Sequence, residues 1–158
     1  MGAKRRIVRE KVLQTLYAFE LSREPLNFVI SQVLSELKED PPTFAFAEKL
    51  VRTTVDFQDE IDTMIRQRVA NWEFNRIAVM DRLILRMCIC ELVHFEDIPP
   101  KVSINEAIEI ARRYSTDKSD KFVNGVLDSV LDDLKSTGAL KKSGRGLVEE
   151  SIRKGKKK

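Results

Sequence analysis

Hydrophobic residues recur every three or four positions along most of the chain, which is the spacing of one face of an α-helix. Over residues 4–21, for example, Val8, Val12 and Leu16 form a single apolar stripe. The same period predicts five further helices: over residues 26–38, 43–70 and 76–93, from Ser103 onwards, and over residues 120–137. Because the pattern over residues 43–70 is longer than an average helix, it is compatible with a break near Asp56–Asp59.

Residues that favour helix ends lie between these segments. Thr43 is a suitable N-cap for the third predicted helix. Ser103 and Glu106 have the spacing of a capping box, in which each side chain satisfies a backbone N–H group of the other residue. Gly138 favours the end of the last helix, and Asn71–Asn75 is predicted to be a loop or a short turn.

The pattern predicts an all-α protein with six or seven helices. No segment shows a strong strand alternation, and the chain has no internal repeat. The helices fit either one compact bundle or two packed three-helix subdomains. The helix over residues 76–93 is apolar on most sides and is expected to be central and buried. We assign residues 1–140 to the folded domain and residues 141–158, rich in Lys, Gly and Ser, to a flexible basic tail.

Charge is distributed unevenly along the chain. The 158 residues carry a net charge of +3, but residues 1–11 carry +4 and residues 141–158 carry +6, so residues 12–140 carry −7. This distribution places any contact with a polyanion at an end of the chain. No apolar run approaches the roughly 18 residues of a membrane span, and no signal peptide is recognisable. We therefore expect a cytoplasmic protein without membrane contact.

The sequence contains few residues suited to catalysis or metal binding. His94 is the only histidine, which excludes a zinc site with several histidines, and it is expected at a helix end or on the surface. Cys88 and Cys90 point to different faces of one helix and are expected to be buried thiols. There is also no glycine-rich phosphate loop. We expect no enzyme activity, no cofactor and no metal.

A first group of basic residues, Lys4, Arg5, Arg6 and Arg9, lies at the start of the first predicted helix. Cations at a helix N-terminus oppose the helix dipole, and an anionic partner relieves that conflict. Tyr17 lies on the same stripe as Arg6 and offers a ring on which an RNA base can stack. A solvated charge cluster without a ligand is the alternative with equal support.

A second group combines basic and aromatic residues around the predicted break at residues 115–119. Its members are Tyr114, Lys118, Lys121 and Phe122. Aromatic rings stack on unpaired bases while lysines neutralise phosphates, so this group also fits single-stranded RNA. The alternative is that Phe122 belongs to the core and that Tyr114 is a half-buried edge.

Four stretches carry more specific information because they occur in a fixed order: Arg5–Tyr17, Asp81–Leu92, Ile98–Ala111 and Lys121–Asp128. Together they resemble the transcription antitermination factor NusB family over roughly residues 4–135. The most specific parts are Ile104-Asn-Glu-Ala and Phe122-Val-Asn-Gly-Val-Leu-Asp.

The resemblance implies an all-α fold of two helical subdomains and a factor that is not an enzyme. It implies binding of boxA-type single-stranded RNA of ribosomal RNA operons together with the small-subunit ribosomal protein NusE. This pair helps the RNA polymerase antitermination complex to read through terminators. The positions that match the family's RNA contacts are Arg5, Arg6 and Arg9, with Lys4 as a neighbour, and Tyr114, Lys118, Lys121 and Phe122.

Tyr17 and Asp81 match family positions near the surface for the protein partner, although Asp81 is shorter than the glutamate of relatives. Two other functions stay open: a helical adaptor that binds protein but no RNA, and a NusB-like accessory domain of an RNA methyltransferase system. For the latter, 158 residues leave no room for the catalytic domain. A homodimer is also compatible with the sequence, because the apolar face of a bundle and that of a dimer have the same pattern.

Overall fold

The chain folds into α-helices and short 3₁₀ helices joined by turns. The structure is a computed structural model that describes residues 2–147, including the side chains of residues 5–70 and 73–147. Within residues 2–147 there are eight α-helices, two 3₁₀ helices and no strand, which confirms the all-α prediction. The chain divides into two compact units, one that ends at Phe57 and one that begins at Gln58.

The first unit is formed by helices α1 (Gly2–Ser22), α2 (Leu26–Val33) and α3 (Pro41–Asp56) and a 3₁₀ helix (Ser35–Glu39). Helix α1 packs against both α2 and α3. The apolar stripe predicted for α1 is its buried face, since Val8, Val12 and Leu16 are all buried. A shared apolar core from three amphipathic helices therefore holds this unit together.

The second unit surrounds one buried helix. Its elements are α4 (Gln58–Arg66), α5 (Asn71–Arg76), α6 (Val79–His94), α7 (Pro100–Tyr114), α8 (Ser119–Ser136) and a 3₁₀ helix (Gly144–Leu147). Helix α6 packs against α4, α7 and α8, and every side chain from Leu83 to Leu92 is buried. The predictions of a central helix and of buried Cys88 and Cys90 are confirmed. None of the described helices is long and apolar enough to cross a membrane.

A buried ion pair joins the middle of α6 to α4. The Arg86 guanidinium donates from Nε to Asp62 Oδ1 at 2.7 Å and from Nη2 to Asp62 Oδ2 at 2.9 Å. This two-point geometry satisfies both carboxylate oxygen atoms and restricts how α4 lies on α6.

The helix count differs from the predicted six or seven for local reasons. The pattern over residues 43–70 is interrupted at Phe57, inside the stretch where a break was compatible, and gives α3 and α4. Asn71–Asn75 belongs to the short helix α5 instead of a loop. The predicted helix over residues 26–38 ends at Val33 and continues as a 3₁₀ helix, because an apolar spacing of three residues also suits a 3₁₀ turn.

The predicted N-cap at Thr43 is wrong. Helix α3 begins two residues earlier, with Asp40 as N-cap and Pro41 in the first turn. Proline favours the first helical position because its missing N–H group has no helical partner there. Thr43 Oγ1 instead donates to Asp40 Oδ2 at 2.8 Å.

The predicted capping box at Ser103 and Glu106 is wrong for the same reason. Helix α7 begins at Pro100, so Ser103 lies within its first turn and not at its start. The Ser103 hydroxyl is buried and donates to Glu91 Oε1 of α6 at 2.8 Å. The predicted stop at Gly138 agrees with its positive φ of 74° just after α8.

The beginning of the predicted tail packs on the C-terminal end of α6. Lys142 Nζ donates to two backbone carbonyl groups at that helix end, at 2.7 and 3.1 Å. The Ser143 N–H group donates to the carbonyl oxygen of Glu96 at 3.0 Å. We name residues 142–146 the C-terminal strap. The remaining residues assigned to the tail, 148–158, lie outside the described residues.

Candidate nucleic-acid interface

The first turns of α1 carry the first predicted basic group. Arg5 is exposed and Arg6 is half-buried, whereas the side chain of Lys4 lies outside the described side chains. The first turn contains no acidic residue. The helix N–H groups and the arginines therefore create a positive potential together. We name Arg5 and Arg6 the N-terminal basic surface.

Phe46 of α3 supports this surface. The Arg5 guanidinium lies 3.9 Å from the centre of the Phe46 ring, and the Arg9 guanidinium lies 5.6 Å from it. Both distances are within the range of cation–π interactions. Arg9 is only 2% exposed, which the sequence does not predict for an arginine. The structure therefore brings Arg5 and Arg6 to the surface and places Arg9 beneath it.

Tyr17 lies on an exposed apolar side of α1. Its exposed fraction is 39%, and those of Ile7 and Leu21 are 56% and 57%. Tyr17 and Arg6 share a side of the helix, as predicted, but 11 residues separate them by about 16 Å along the axis. The ring therefore belongs to an apolar surface and does not form one compact group with Arg6.

The connection between α7 and α8 brings the second predicted group together. Tyr114 ends α7 and is 38% exposed. Lys118 and Lys121 are exposed at the start of α8, and Phe122 is half-buried. We name these four residues the turn surface. It presents two ammonium groups and two rings at one end of a packed helix pair.

A shallow cleft of about 350 Å³ adjoins the turn surface. Phe122 forms part of its lining, with Ile77, Ala78, Asp81 and the flanking residues Glu73 and Arg76. Phe122 thus has one side against the protein and one side that reaches the cleft. Both interpretations from the sequence hold in part, since the ring is neither a pure core residue nor fully exposed.

The carboxylate of Asp81 lies beneath the turn. Asp81 is in the first turn of α6 and is only 8% exposed. Its Oδ1 accepts a hydrogen bond from Ser115 Oγ at 2.5 Å, and its Oδ2 accepts one from Ser119 Oγ at 2.9 Å. The resemblance placed this position near a protein-partner surface. In this chain the side chain is only slightly exposed, and Asp81 forms part of the lining of the shallow cleft.

An exposed ion pair also connects α7 with α8. Arg112 Nε donates to Asp120 Oδ2 at 3.2 Å, and Asp120 Oδ1 accepts from the Lys121 N–H group at 2.9 Å. The hydrogen bond from Arg112 is the main reason that the pKa of Asp120 lies below its usual value. The same hydrogen bond raises the pKa of Arg112. The carboxylate next to the turn surface is therefore paired with an arginine that also forms an ion pair with Glu109.

Sequence reasoning missed Phe46 and the two serines as parts of these surfaces. Asp81 is 34 residues from Ser115 and 38 from Ser119, and contacts at such separations leave no periodic signal. His94 lies in the last turn of α6, in agreement with its prediction as a helix-end residue. Among the described residues, no group of three or more His, Cys, Asp or Glu residues is arranged to hold a metal ion.

Comparison with known proteins assigns the chain and its fold to one family. The model of the NusB family matches residues 6–132, a range that includes most of the described helices. The chain belongs to the NusB family. As a NusB family member it is a transcription antitermination protein and not an enzyme, which confirms the resemblance seen in the sequence.

Individual relatives support this assignment. The transcription antitermination protein NusB of Chloroherpeton thalassium is 46% identical over 155 residues, which cover 98% of this chain and 74% of that protein. A solved structure of T. maritima NusB has a TM-score of 0.76 and 38% identity, and covers 82% of this chain and 91% of that one. A crystal structure of antitermination factors NusB and NusE in complex with dsRNA has a TM-score of 0.75 and 26% identity, and covers 84% and 99%.

Proposed function

We propose that this NusB family protein binds boxA-type RNA of ribosomal RNA operons together with NusE, as part of a cytoplasmic RNA polymerase antitermination complex. The observation that carries the proposal is the turn surface, where Lys118 and Lys121 are exposed on the same connection as exposed Tyr114 and half-buried Phe122. Lysines neutralise phosphates, and rings stack on unpaired bases. The solved complex of the relatives NusB and NusE with dsRNA supports RNA as the ligand.

The N-terminal basic surface provides a second set of phosphate contacts. Arg5 rests on Phe46, so its guanidinium is partly oriented before RNA binds and loses less conformational entropy on binding. Arg6, and Lys4 as its neighbour in sequence, add charge at the same helix end. Because Arg9 is buried, we assign it the role of supporting Phe46 instead of a direct contact with RNA.

The exposed apolar side of α1 is the surface that we assign to NusE. Ile7, Tyr17 and Leu21 are large hydrophobic residues with high exposure, and such a strip favours burial against a protein partner. The net charge of −7 over residues 12–140 suits a basic ribosomal protein.

Titration of boxA RNA over a range of salt concentrations tests the RNA contacts. In the double variant Lys118→Ala/Lys121→Ala, we expect weaker binding and a salt slope that is shallower by about 1.4, since each phosphate contact of a single strand contributes about 0.7. For Arg5→Ala we expect a slope that is shallower by about 0.7. A single-stranded and a hairpin form of the same RNA show which one the surfaces prefer.

Two variants serve as charge-matched controls. Lys101→Ala/Lys141→Ala removes two lysines from the same unit. Lys101 lies near the N-terminal end of α7, about 20 Å along the helix axis from the turn, and Lys141 follows α8. Arg66→Ala removes an exposed arginine that lies 4.1 Å from the Phe74 ring, as Arg5 lies over Phe46. If the test variants and their controls have equal affinities and slopes, these side chains do not contact RNA.

The exposed side of α1 also supports the adaptor function, in which the protein binds NusE and no RNA. Binding to purified NusE with and without boxA RNA separates the two functions, and Tyr17→Ala is expected to weaken NusE binding in both. An adaptor retains NusE binding but shifts no RNA. Sedimentation of the protein alone tests the homodimer, which would use the same apolar surface.

A further inference from the structure

The turn surface is held in place from below by a single carboxylate. Both oxygen atoms of Asp81 accept hydrogen bonds, one from Ser115 and one from Ser119. Ser115 is the residue that follows α7, and Ser119 is the first residue of α8. The carboxylate thus joins the two ends of the turn to the first turn of α6.

The turn itself completes this network. The Ser119 Oγ accepts a hydrogen bond from the Thr116 N–H group at 3.2 Å and lies 3.0 Å from the Thr116 hydroxyl. The hydroxyl oxygen atoms of Ser115 and Ser119 are 2.8 Å apart. Because Ser119 is only 2% exposed, these bonds are shielded from water and hold the backbone of the turn in one conformation.

The exposed members of the turn surface are attached directly to this network. Tyr114 precedes Ser115, Lys118 precedes Ser119, and the Phe122 N–H group donates to the Lys118 carbonyl oxygen at 3.2 Å. The spacing between rings and ammonium groups therefore depends on the position of the two serines.

We propose that Asp81 is a positioning residue for RNA recognition, which acts through its hydrogen bonds with Ser115 and Ser119. This inference rests on the proposed RNA-binding function of the turn surface. The Asp81 carboxylate holds the turn in one conformation, so that Lys118 and Lys121 contact phosphates at a fixed spacing. Without it the turn samples several conformations, and RNA binding has to order the turn first.

The matched pair Ser119→Ala and Ser103→Ala tests the proposal. Each change removes a buried serine hydroxyl that donates to a carboxylate of α6, at 2.9 Å to Asp81 and at 2.8 Å to Glu91. Of the two serines in this pair, only Ser119 belongs to the hydrogen-bond network of the turn. We expect Ser119→Ala to weaken boxA RNA binding about tenfold, the scale of coupling within one network, and Ser103→Ala to leave it unchanged.

A double-mutant cycle measures the coupling between Asp81 and the two lysines in RNA binding, which a general loss of stability does not produce. Asp81→Asn is measured in the original chain and in the Lys118→Ala/Lys121→Ala background. If Asp81 positions the lysines, its replacement weakens binding in the original chain and makes the salt slope shallower, but has little further effect once the lysines are absent. Hydrogen exchange of residues 114–121 is expected to become faster while exchange within α6 is unchanged.

The outcomes separate this inference from the proposed function. If the lysine variant binds RNA as well as its control does, the turn surface is not an RNA site and the proposed function fails there. If the lysines matter but the effect of Asp81→Asn is additive, or Ser103→Ala weakens RNA binding as much as Ser119→Ala, only the positioning role is overturned. Should Asp81→Asn fail to fold, the serine pair still decides the question.

Discussion

Both ends of α6 carry a carboxylate that accepts a hydrogen bond from a serine of a neighbouring helix. At the N-terminal end, Asp81 accepts from Ser115 and Ser119, which flank an exposed turn. At the C-terminal end, about 15 Å along the axis, Glu91 accepts from Ser103, which lies inside α7. The same chemistry therefore positions a surface at one end and packs two helices at the other.

The two ends also differ in what covers them. The C-terminal end is closed by the strap, in which Lys142 donates to two backbone carbonyl groups of the helix end. A cation there complements the negative end of the helix dipole. The turn at the other end instead leaves Tyr114, Lys118 and Lys121 exposed. Stability and RNA binding are accordingly expected to respond to changes at different ends.

The largest effect on stability is expected from the ion pair between Asp62 and Arg86, which lies in the middle of α6. Asp62→Ala leaves the Arg86 guanidinium buried without its carboxylate, and such a loss costs about 3–5 kcal/mol of unfolding free energy. Urea unfolding measures this loss. Replacement of both partners, Asp62→Leu/Arg86→Met, is expected to be far milder. A double variant as unstable as Asp62→Ala would contradict the account of the pair.

The next largest loss of unfolding free energy is expected from a substitution in the C-terminal strap. At Gly146 an added Cβ would lie 2.1 Å from the Glu96 carbonyl oxygen, so Gly146→Ala has to displace the strap and is expected to cost about 1–3 kcal/mol in urea unfolding. The control is Gly125→Ala in α8, where no atom lies within 4 Å and alanine is expected to stabilise the helix by up to about 1 kcal/mol. RNA affinity should stay unchanged in both variants, and a loss in Gly146→Ala would link the strap to the RNA site.

Replacement of Ser103 and of Ser119 by alanine compares the two ends of α6 directly. Ser103→Ala and Ser119→Ala are each expected to cost about 1 kcal/mol, because each removes one buried hydroxyl group that donates to a carboxylate. Urea unfolding of both variants gives the values. The two variants are thus expected to lose similar stability, whereas only Ser119→Ala is expected to lose RNA affinity. A loss of RNA affinity in Ser103→Ala as large as that in Ser119→Ala would show that the ends are not independent.

The sequence predicts the helices well because each one buries an apolar face with the helical period. The central position of α6 follows from Leu83, Ile84 and Leu85, which are apolar on adjoining faces of the helix and fully enclosed. The errors at Thr43 and Ser103 have one cause, since a proline is the first residue of both α3 and α7. A prolyl residue at the first helical position is favourable, so the helices start earlier than the polar caps indicate.

The candidate surfaces were only partly predictable. Basic and aromatic residue types marked Arg5 and Lys118, because charges and rings are visible in a sequence. Burial is not visible in a sequence, so the sequence does not distinguish Arg9 and Asp81 from exposed charged residues. Both are buried in the structure. The support of Arg5 by Phe46 joins residues of different helices. Such tertiary contacts depend on packing that a local pattern does not specify.

The smallest effect is expected from Lys142, and it depends on pH. Desolvation by burial lowers the pKa of Lys142 below its ordinary value of 10.5. Between the lowered pKa and 10.5, the unfolded chain binds more protons than the folded chain, so unfolding free energy rises with pH in that window.

Lys142→Met removes this rise. It also removes two hydrogen bonds, which changes the unfolding free energy by an amount that does not vary with pH below the window. Urea unfolding at a series of pH values, with Lys141→Met as the exposed control, measures the difference. Parallel curves for Lys142→Met and the original chain would contradict the burial of this amine. Unchanged RNA affinity in Lys142→Met would separate the strapped end of α6 from the end that carries the turn.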